Sequence, residues 1–178
     1  MNGMARTVAL ATMMLTAAAT ARAQSAAGSF RTEFLHQFDA SMGKVVALAE
    51  AVPAEKYARP AVAGVQPLGL IFAHIAHYNY EYPARAMGVA PPAGIDRDTL
   101  ERVREKAQVV ALLRRSADHV RSSVRQMSEE QLARTTTLYG RRVPQWAVLF
   151  QLIAHMNDHL GQSIAYGRAS GVVPPWSQ

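Results

Sequence analysis

The sequence predicts an all-α fold, a four-helix bundle, on three observations. Four segments of roughly 20 residues each repeat apolar side chains at helical spacing. Proline and glycine punctuate the chain between them. Two of the four segments carry paired histidines at helical spacing, so polar groups recur inside otherwise apolar runs. Four amphipathic helices of this length bury their stripes most simply against one another.

The first helix is expected over about Ser29 to Ala51. Phe30, Phe34, Phe38, Met42, Val45 and Leu48 fall near one face, Val46 lies at its edge, and Pro53 ends it. The second spans about Pro67 to Met87 and is apolar around much of its circumference, as suits a helix packed on several sides. Pro83 should kink or end it, and "GVAPPAG" (88–94) reads as a loop. The third runs from about Arg104 to Met127, with Val109, Leu112, Leu113, Ala117, Val120 and Val124 as its stripe and Asp98 capping a lead-in turn. Ser128 and Gln131 form a capping box for a further helical start, and "TTTLYGRRV" (135–143) reads as an extended loop. The fourth runs from about Pro144 to Ser170, with Trp146, Leu149, Phe150, Ile153, Met156, Leu160 and Ile164 as apolar contacts. Gly171 suits a left-handed stop, and Pro174-Pro175 prevents continuation.

The chain has 178 residues and 49% apolar content, enough for one domain with a core. It contains no cysteine, which excludes disulfides, thiolate metal sites, cysteine nucleophiles and covalent c-type haem. Any metal must be held by nitrogen and oxygen. The formal charge is +6. Basic residues are not interleaved with aromatics, so nucleic acid is not an expected partner.

"MNGMARTVALATMMLTAAATARAQ" opens with Arg6, continues through an apolar run from Thr7 to Thr20, and reaches "ARA" at 21–23. A charged start, a short apolar run and a small-x-small site describe a secretory signal peptide. The expected mature chain is a single domain, 24–178, exported to the periplasm or the medium, with no stable membrane span after signal removal. Losing Arg6 and Arg22 leaves 17 basic against 13 acidic residues, a net +4.

Four of the six histidines form two pairs: "HIAH" spaces His74 and His77 three apart, and "HMNDH" spaces His155 and His159 four apart. Both spacings place side chains on one helical face, with Cβ atoms about 5–6 Å apart. An i, i+4 pair can chelate one ion, with a third imidazole from a neighbouring helix completing an open site. The alternative is hydrogen-bonded histidines within the packing, since a ring in runs as apolar as "LGLIFAHIA" and "LFQLIAHMN" needs partners. Axial haem ligation suits two pairs less well than a single ion. His36 and His119 stand alone and read as structural or exposed.

The blocks "PLGLIFAHIAHYNY" (67–80) and "QLIAHMNDHLGQSIAYGRASGVVPP" (151–175) resemble the DinB/YfiT-like family of metal-dependent four-helix-bundle proteins. The second block is the more specific: His-x3-His, then Gly-Gln, then a helix ending before Pro-Pro. The segment 105–124 matches the family's third helix weakly, and the resemblance covers about Ser29 to Pro175.

The resemblance implies one divalent ion held by His74, His155 and His159. It leaves His77 as a pocket residue, a proton shuttle and so a catalytic candidate, or the alternative third ligand. Asp158 and Gln162 read either as surface polar residues or as groups supporting the site. Tyr78, Tyr80, Tyr82 and Trp146 are core or interface aromatics, or the walls of a bundle mouth. Imidazole accepts zinc, nickel, copper or iron; zinc and nickel are the expected ions.

The chemistry implied is a metal-dependent transferase using a low-molecular-weight thiol, or a hydrolase, on an unidentified small molecule. The alternative is a non-catalytic bundle that binds metal or a protein partner. The family implies a homodimer as well.

Overall fold

All four long helices form, and their relative directions determine what else the chain must do. The computed structural model describes residues 30–177; the expected signal segment lies outside them. Helix α1 covers 30–51. It is followed by α2 (Leu68–Met87), the short α3 (Arg97–Leu100), α4 (Lys106–Gln126), the short α5 (Glu129–Ala133), strands β1 (Thr135–Leu138) and β2 (Arg141–Pro144), and α6 (Gln145–Ala169).

Side-chain contacts fix the directions of the helices. Asp39 meets Arg121 at 2.6 Å and Glu50 meets Arg114, so α1 and α4 are antiparallel. Phe30 packs on Trp146 at one end, and a Cβ on Gly167 would lie 3.7 Å from Leu48 at the other, so α1 and α6 are parallel. His74 lies beside His159 and Tyr82 beside His155, so α2 and α6 are antiparallel. Asn79 bonds Ser116 at 3.0 Å and Tyr80 stacks near His119, so α2 and α4 are parallel. A parallel pair consecutive in the bundle needs a connection running back along its length. Residues 88–105 supply it, with α3 lying against α2.

The core holds the expected stripes. Phe38, Met42, Val45 and Leu48 of α1 and Val109, Leu112, Leu113, Ala117, Val120 and Val124 of α4 are all buried. In α6 the inward face is Val148, Leu149, Leu152, Met156 and Leu160, whereas Trp146 and Phe150 are exposed. Of the expected apolar contacts, Leu149, Met156 and Leu160 are buried, Ile153 and Ile164 pack at the core's edge and Trp146 lies on Phe30, while Phe150 is exposed and Val148 and Leu152 join the core. The helix is apolar on more than one side, and periodicity cannot choose between such faces.

Several boundaries also differ from expectation. Helix α2 ends at Met87 as expected, before Gly88 at φ +71°, but Pro83 does not end it. Asp96, not Asp98, caps α3. Helix α4 starts at Lys106, because the Glu105 carboxylate accepts from the backbone N–H groups of Ala107 and Gln108. The Ser128/Gln131 capping box forms as read.

Residues 135–144 are not a loop but an antiparallel hairpin, with Leu138 opposite Arg141 and Tyr139-Gly140 as its two-residue turn. Both turn residues have positive φ, +50° and +75°, as a type I′ turn requires. That turn normally takes Asn-Gly, so Tyr139 carried no turn signal, and it holds its conformation at a cost of about 1 kcal/mol.

The entry to α2 depends on Tyr57. Its hydroxyl donates to the Ala49 carbonyl at 2.5 Å, and its own carbonyl accepts from Gly69 N–H at 3.0 Å, joining the end of α1 to the start of α2. A Cβ on Gly69 would sit 2.8 Å from the Tyr57 carbonyl oxygen and 2.9 Å from its ring. Backbone has to move to admit it. Gly69→Ala is therefore expected to destabilise the protein by about 1–3 kcal/mol despite alanine's better helix propensity. Urea unfolding monitored by circular dichroism checks this; a gain in stability would show that the contact is relieved freely.

Candidate metal centre

Helices α2 and α6 cross where their histidines face each other. His74 of α2 and His155 and His159 of α6 each offer a ring nitrogen, and these three atoms all lie within 4.8 Å of one another. The ring centroids stand 4.5 Å apart for His155 and His159, 4.6 Å for His74 and His159, and 5.1 Å for His74 and His155. Among the described residues this is the one group of His, Asp or Glu side chains gathered closely enough to hold an ion.

Two of the rings are oriented from behind. His74 Nδ1 donates to Glu101 Oε1 at 2.7 Å. His159 Nδ1 donates to Gln162 Oε1 at 2.8 Å, while Gln162 Nε2 donates to the Tyr166 hydroxyl at 3.3 Å. An Nδ1 that donates its proton leaves Nε2 with a free lone pair. Such outer partners fix ring tautomer and direction at imidazole metal sites.

Burial and the surrounding imidazoles push the His155 pKa down to about 4. Burial also lowers that of His74, and the Glu101 hydrogen bond opposes the shift. Both rings are therefore neutral at neutral pH, which is the form that binds a metal.

The other candidate residues separate clearly. His77 lies outside the close group; its Nδ1 donates to the Arg97 carbonyl at 2.9 Å. Spacing of three turns its ring toward the crossover rather than across to α6. Asp158 is exposed, as a solvated carboxylate would be, whereas Gln162 supports His159.

Tyr78 lies over the site, its ring 4.3 Å from that of His155 and 4.6 Å from that of His74, and Tyr82 stands edge-on to His155 at 5.6 Å. These two pack against the histidine rings, while Tyr80 is core and Trp146 is exposed against Phe30. His36 is exposed. His119 is part-buried beside Tyr80.

Glu101 is the residue that sequence reading missed. It lies 27 residues from His74 in a linker with no local pattern, and only the path of the crossover brings the two together. A cavity of about 280 Å³ opens beside the cluster, lined by Gln66, Leu70, Ile71 and Gln162 together with His74, Glu101 and His159.

The fold and this histidine geometry describe a helical bundle able to hold a metal ion between two of its helices. The chain belongs to the DinB superfamily, whose profile matches residues 37–163. Solved structures share the fold at low identity. A DinB-like protein from Bacillus cereus is 17% identical, with a TM-score of 0.70 over 80% of this chain and 93% of that one. YfiT from Bacillus subtilis, described as "a probable metal-dependent hydrolase with an unusual four-helix bundle topology", is 12% identical, with a TM-score of 0.61 over 80% and 88%. A mycothiol-dependent maleylpyruvate isomerase is 15% identical, with a TM-score of 0.57 over 74% of this chain and 59% of that longer one. No curated protein sequence matches the chain significantly.

The depressed pKa values set a pH dependence for the metal-free protein. An unfolded imidazole titrates near 6.5, and His155 in the fold near 4. As pH falls, the unfolded state takes up its proton first. The stability contributed by neutral His155 is complete above about pH 6.5 and is lost progressively as pH falls toward 4. His74 and His119 are shifted in the same direction and add to the loss. The urea midpoint of chelator-treated protein should therefore fall between pH 7.5 and pH 5, and fall less in His155→Ala. Equal slopes in the two proteins would contradict the depressed His155.

Proposed function

We propose that the chain is an exported metal-dependent hydrolase that holds one divalent ion, zinc or nickel, through His74, His155 and His159. The observation that carries this reading is three inward-facing imidazoles within 4.8 Å of one another, beside an open cavity of about 280 Å³. A divalent ion held by neutral ligands keeps its full charge and supplies Lewis acidity toward a water molecule or a thiol.

The chain's own residues do the rest. Glu101 and Gln162 hold two of the rings in the tautomer that presents Nε2. Tyr78 and Tyr82 shield the site on the α2 side. His77, anchored through Nδ1 on the Arg97 carbonyl, is assigned the proton-carrying role through Nε2.

Thiol transfer is the second reading, supported by the fold shared with the mycothiol-dependent isomerase. A purely structural metal site is less well supported, because side chains do not fill the space beside the cluster. Export rests on the N-terminal pattern of Arg6, the apolar run and "ARA".

Metal content decides first. Untagged protein purified after export should carry close to one ion per chain, and the double variant His155→Ala/His159→Ala none. His77→Ala should keep the ion while losing turnover. Absence of metal in the wild type after incubation with zinc and with nickel would end the metalloenzyme reading. Glu101→Ala should weaken metal affinity about 10–100-fold, as loss of such outer partners does elsewhere; unchanged affinity in a competition titration with a chromophoric chelator would show that Glu101 does not orient His74.

A further inference from the structure

The hairpin turn places a bulky aromatic residue where the backbone least favours one. Tyr139 has φ +50° and is 66% exposed, so its ring contributes little to the core. A residue serving only to close this turn would be Asn or Gly. The turn is nevertheless held firmly. Leu138 is buried, Thr136 Oγ1 donates to the Ala86 carbonyl at 2.5 Å, and Gln145 N–H closes the base on the Arg134 carbonyl at 2.9 Å.

The phenol is aimed back at the bundle. Its hydroxyl lies 2.5 Å from that of Tyr82, which is 5% exposed and stands edge-on to His155. Either hydroxyl of this pair can donate; with the nearly buried Tyr82 hydroxyl as the donor, the Tyr139 oxygen accepts. The Tyr139 proton then remains for a partner outside the protein.

The strained conformation, the exposure and the anchored hydroxyl together describe a donor held against Tyr82, whose ring stands edge-on to His155, and near Tyr78, which packs on His155 and His74. We propose that Tyr139 is a ligand-contacting residue of the three-histidine site, donating a hydrogen bond to an oxygen of a carboxylate- or carbonyl-bearing ligand bound there. The proposal rests on the metal-binding reading above, because the ion is what would draw such an oxygen to the cluster.

Two variants separate this role from simple anchoring of the hairpin. Tyr139→Phe keeps the ring and removes the donor. Tyr139→Asn removes the phenol and gives the turn its preferred residue. The full exported chain is loaded with cobalt(II), and acetate is titrated while the visible absorption of the cobalt is followed. Both variants should bind cobalt as the wild type does and bind acetate about 3- to 10-fold more weakly. Tyr139→Asn should also unfold at the same or a higher temperature than the wild type in the metal-free state.

Acetate affinity unchanged in Tyr139→Phe overturns the proposal, as does an acetate titration that leaves the wild-type cobalt spectrum unaltered. Failure of the metal-binding reading shows earlier and separately, as a wild-type chain that takes up no cobalt. A clear fall in the unfolding temperature of Tyr139→Asn would instead assign the tyrosine to holding the hairpin.

Discussion

The parallel arrangement of α2 and α4 is the constraint on which the site depends. Helices adjacent in a bundle and successive in the chain are usually antiparallel, joined by a short turn. Here α2 ends at one end of the bundle and α4 begins at the other, so the chain must travel back about 30 Å, the length of a 20-residue helix. Residues 88–105 do so against α2. That return path places the Arg97 carbonyl beside His77 and the Glu101 carboxylate beside His74, and it brings Arg97 to the partly buried Glu81. An antiparallel α2/α4 pair with a tight turn would leave both histidines without these partners. The connection between helices thus becomes the outer support of the candidate site.

Electrostatics makes the same point from the side chains. Burial penalises the charged form of these rings most, and three imidazoles packed this closely repel one another when protonated. The downward displacement of His155 and His74 is the visible consequence. Neutral rings still need partners for their N–H groups. Glu101 and Gln162 take two of those protons and so direct two lone pairs elsewhere. Hydrogen bonding on the outer side of His74 and His159 and convergence of all three rings on the inner side are one arrangement. Groups satisfied in this way are stable in the fold with or without an ion, and they are preorganised for one.

The helices and their histidines were legible in the sequence because both signals are periodic. The stripes of α1 and α4 became core as read, and an i, i+4 pair on α6 has to share a face whatever surrounds it. What was not legible lay between the helices or on a helix with more than one apolar side. Trp146 and Phe150 are spaced like core residues but face outward, since Val148 and Leu152 compete for the interior. Glu101 has no sequence neighbour that marks it, and its partner is set by the crossover. The hairpin was hidden by its own turn, because Tyr-Gly lacks the Asn that normally announces it. His77 matched His74 in type and spacing, and a rotation of one side chain around the helix was enough to separate their surroundings.

Two of these misses, Glu101 and the hairpin, share a location outside the long helices, and that location has a physical meaning. The three imidazoles project from the two long helices α2 and α6, which are packed through the core and held rigid by it. The groups around them come from irregular segments: Glu101 from the crossover and Tyr139 from the hairpin. Chain at the end of a bundle can change its side chains without disturbing the packing that fixes the metal geometry. Relatives that share the fold at 12–17% identity can therefore differ widely in what they bind. The bundle decides that an ion can be held between α2 and α6. The crossover and the hairpin supply the groups around that place: the Glu101 carboxylate behind His74, and a tyrosine at positive φ against Tyr82.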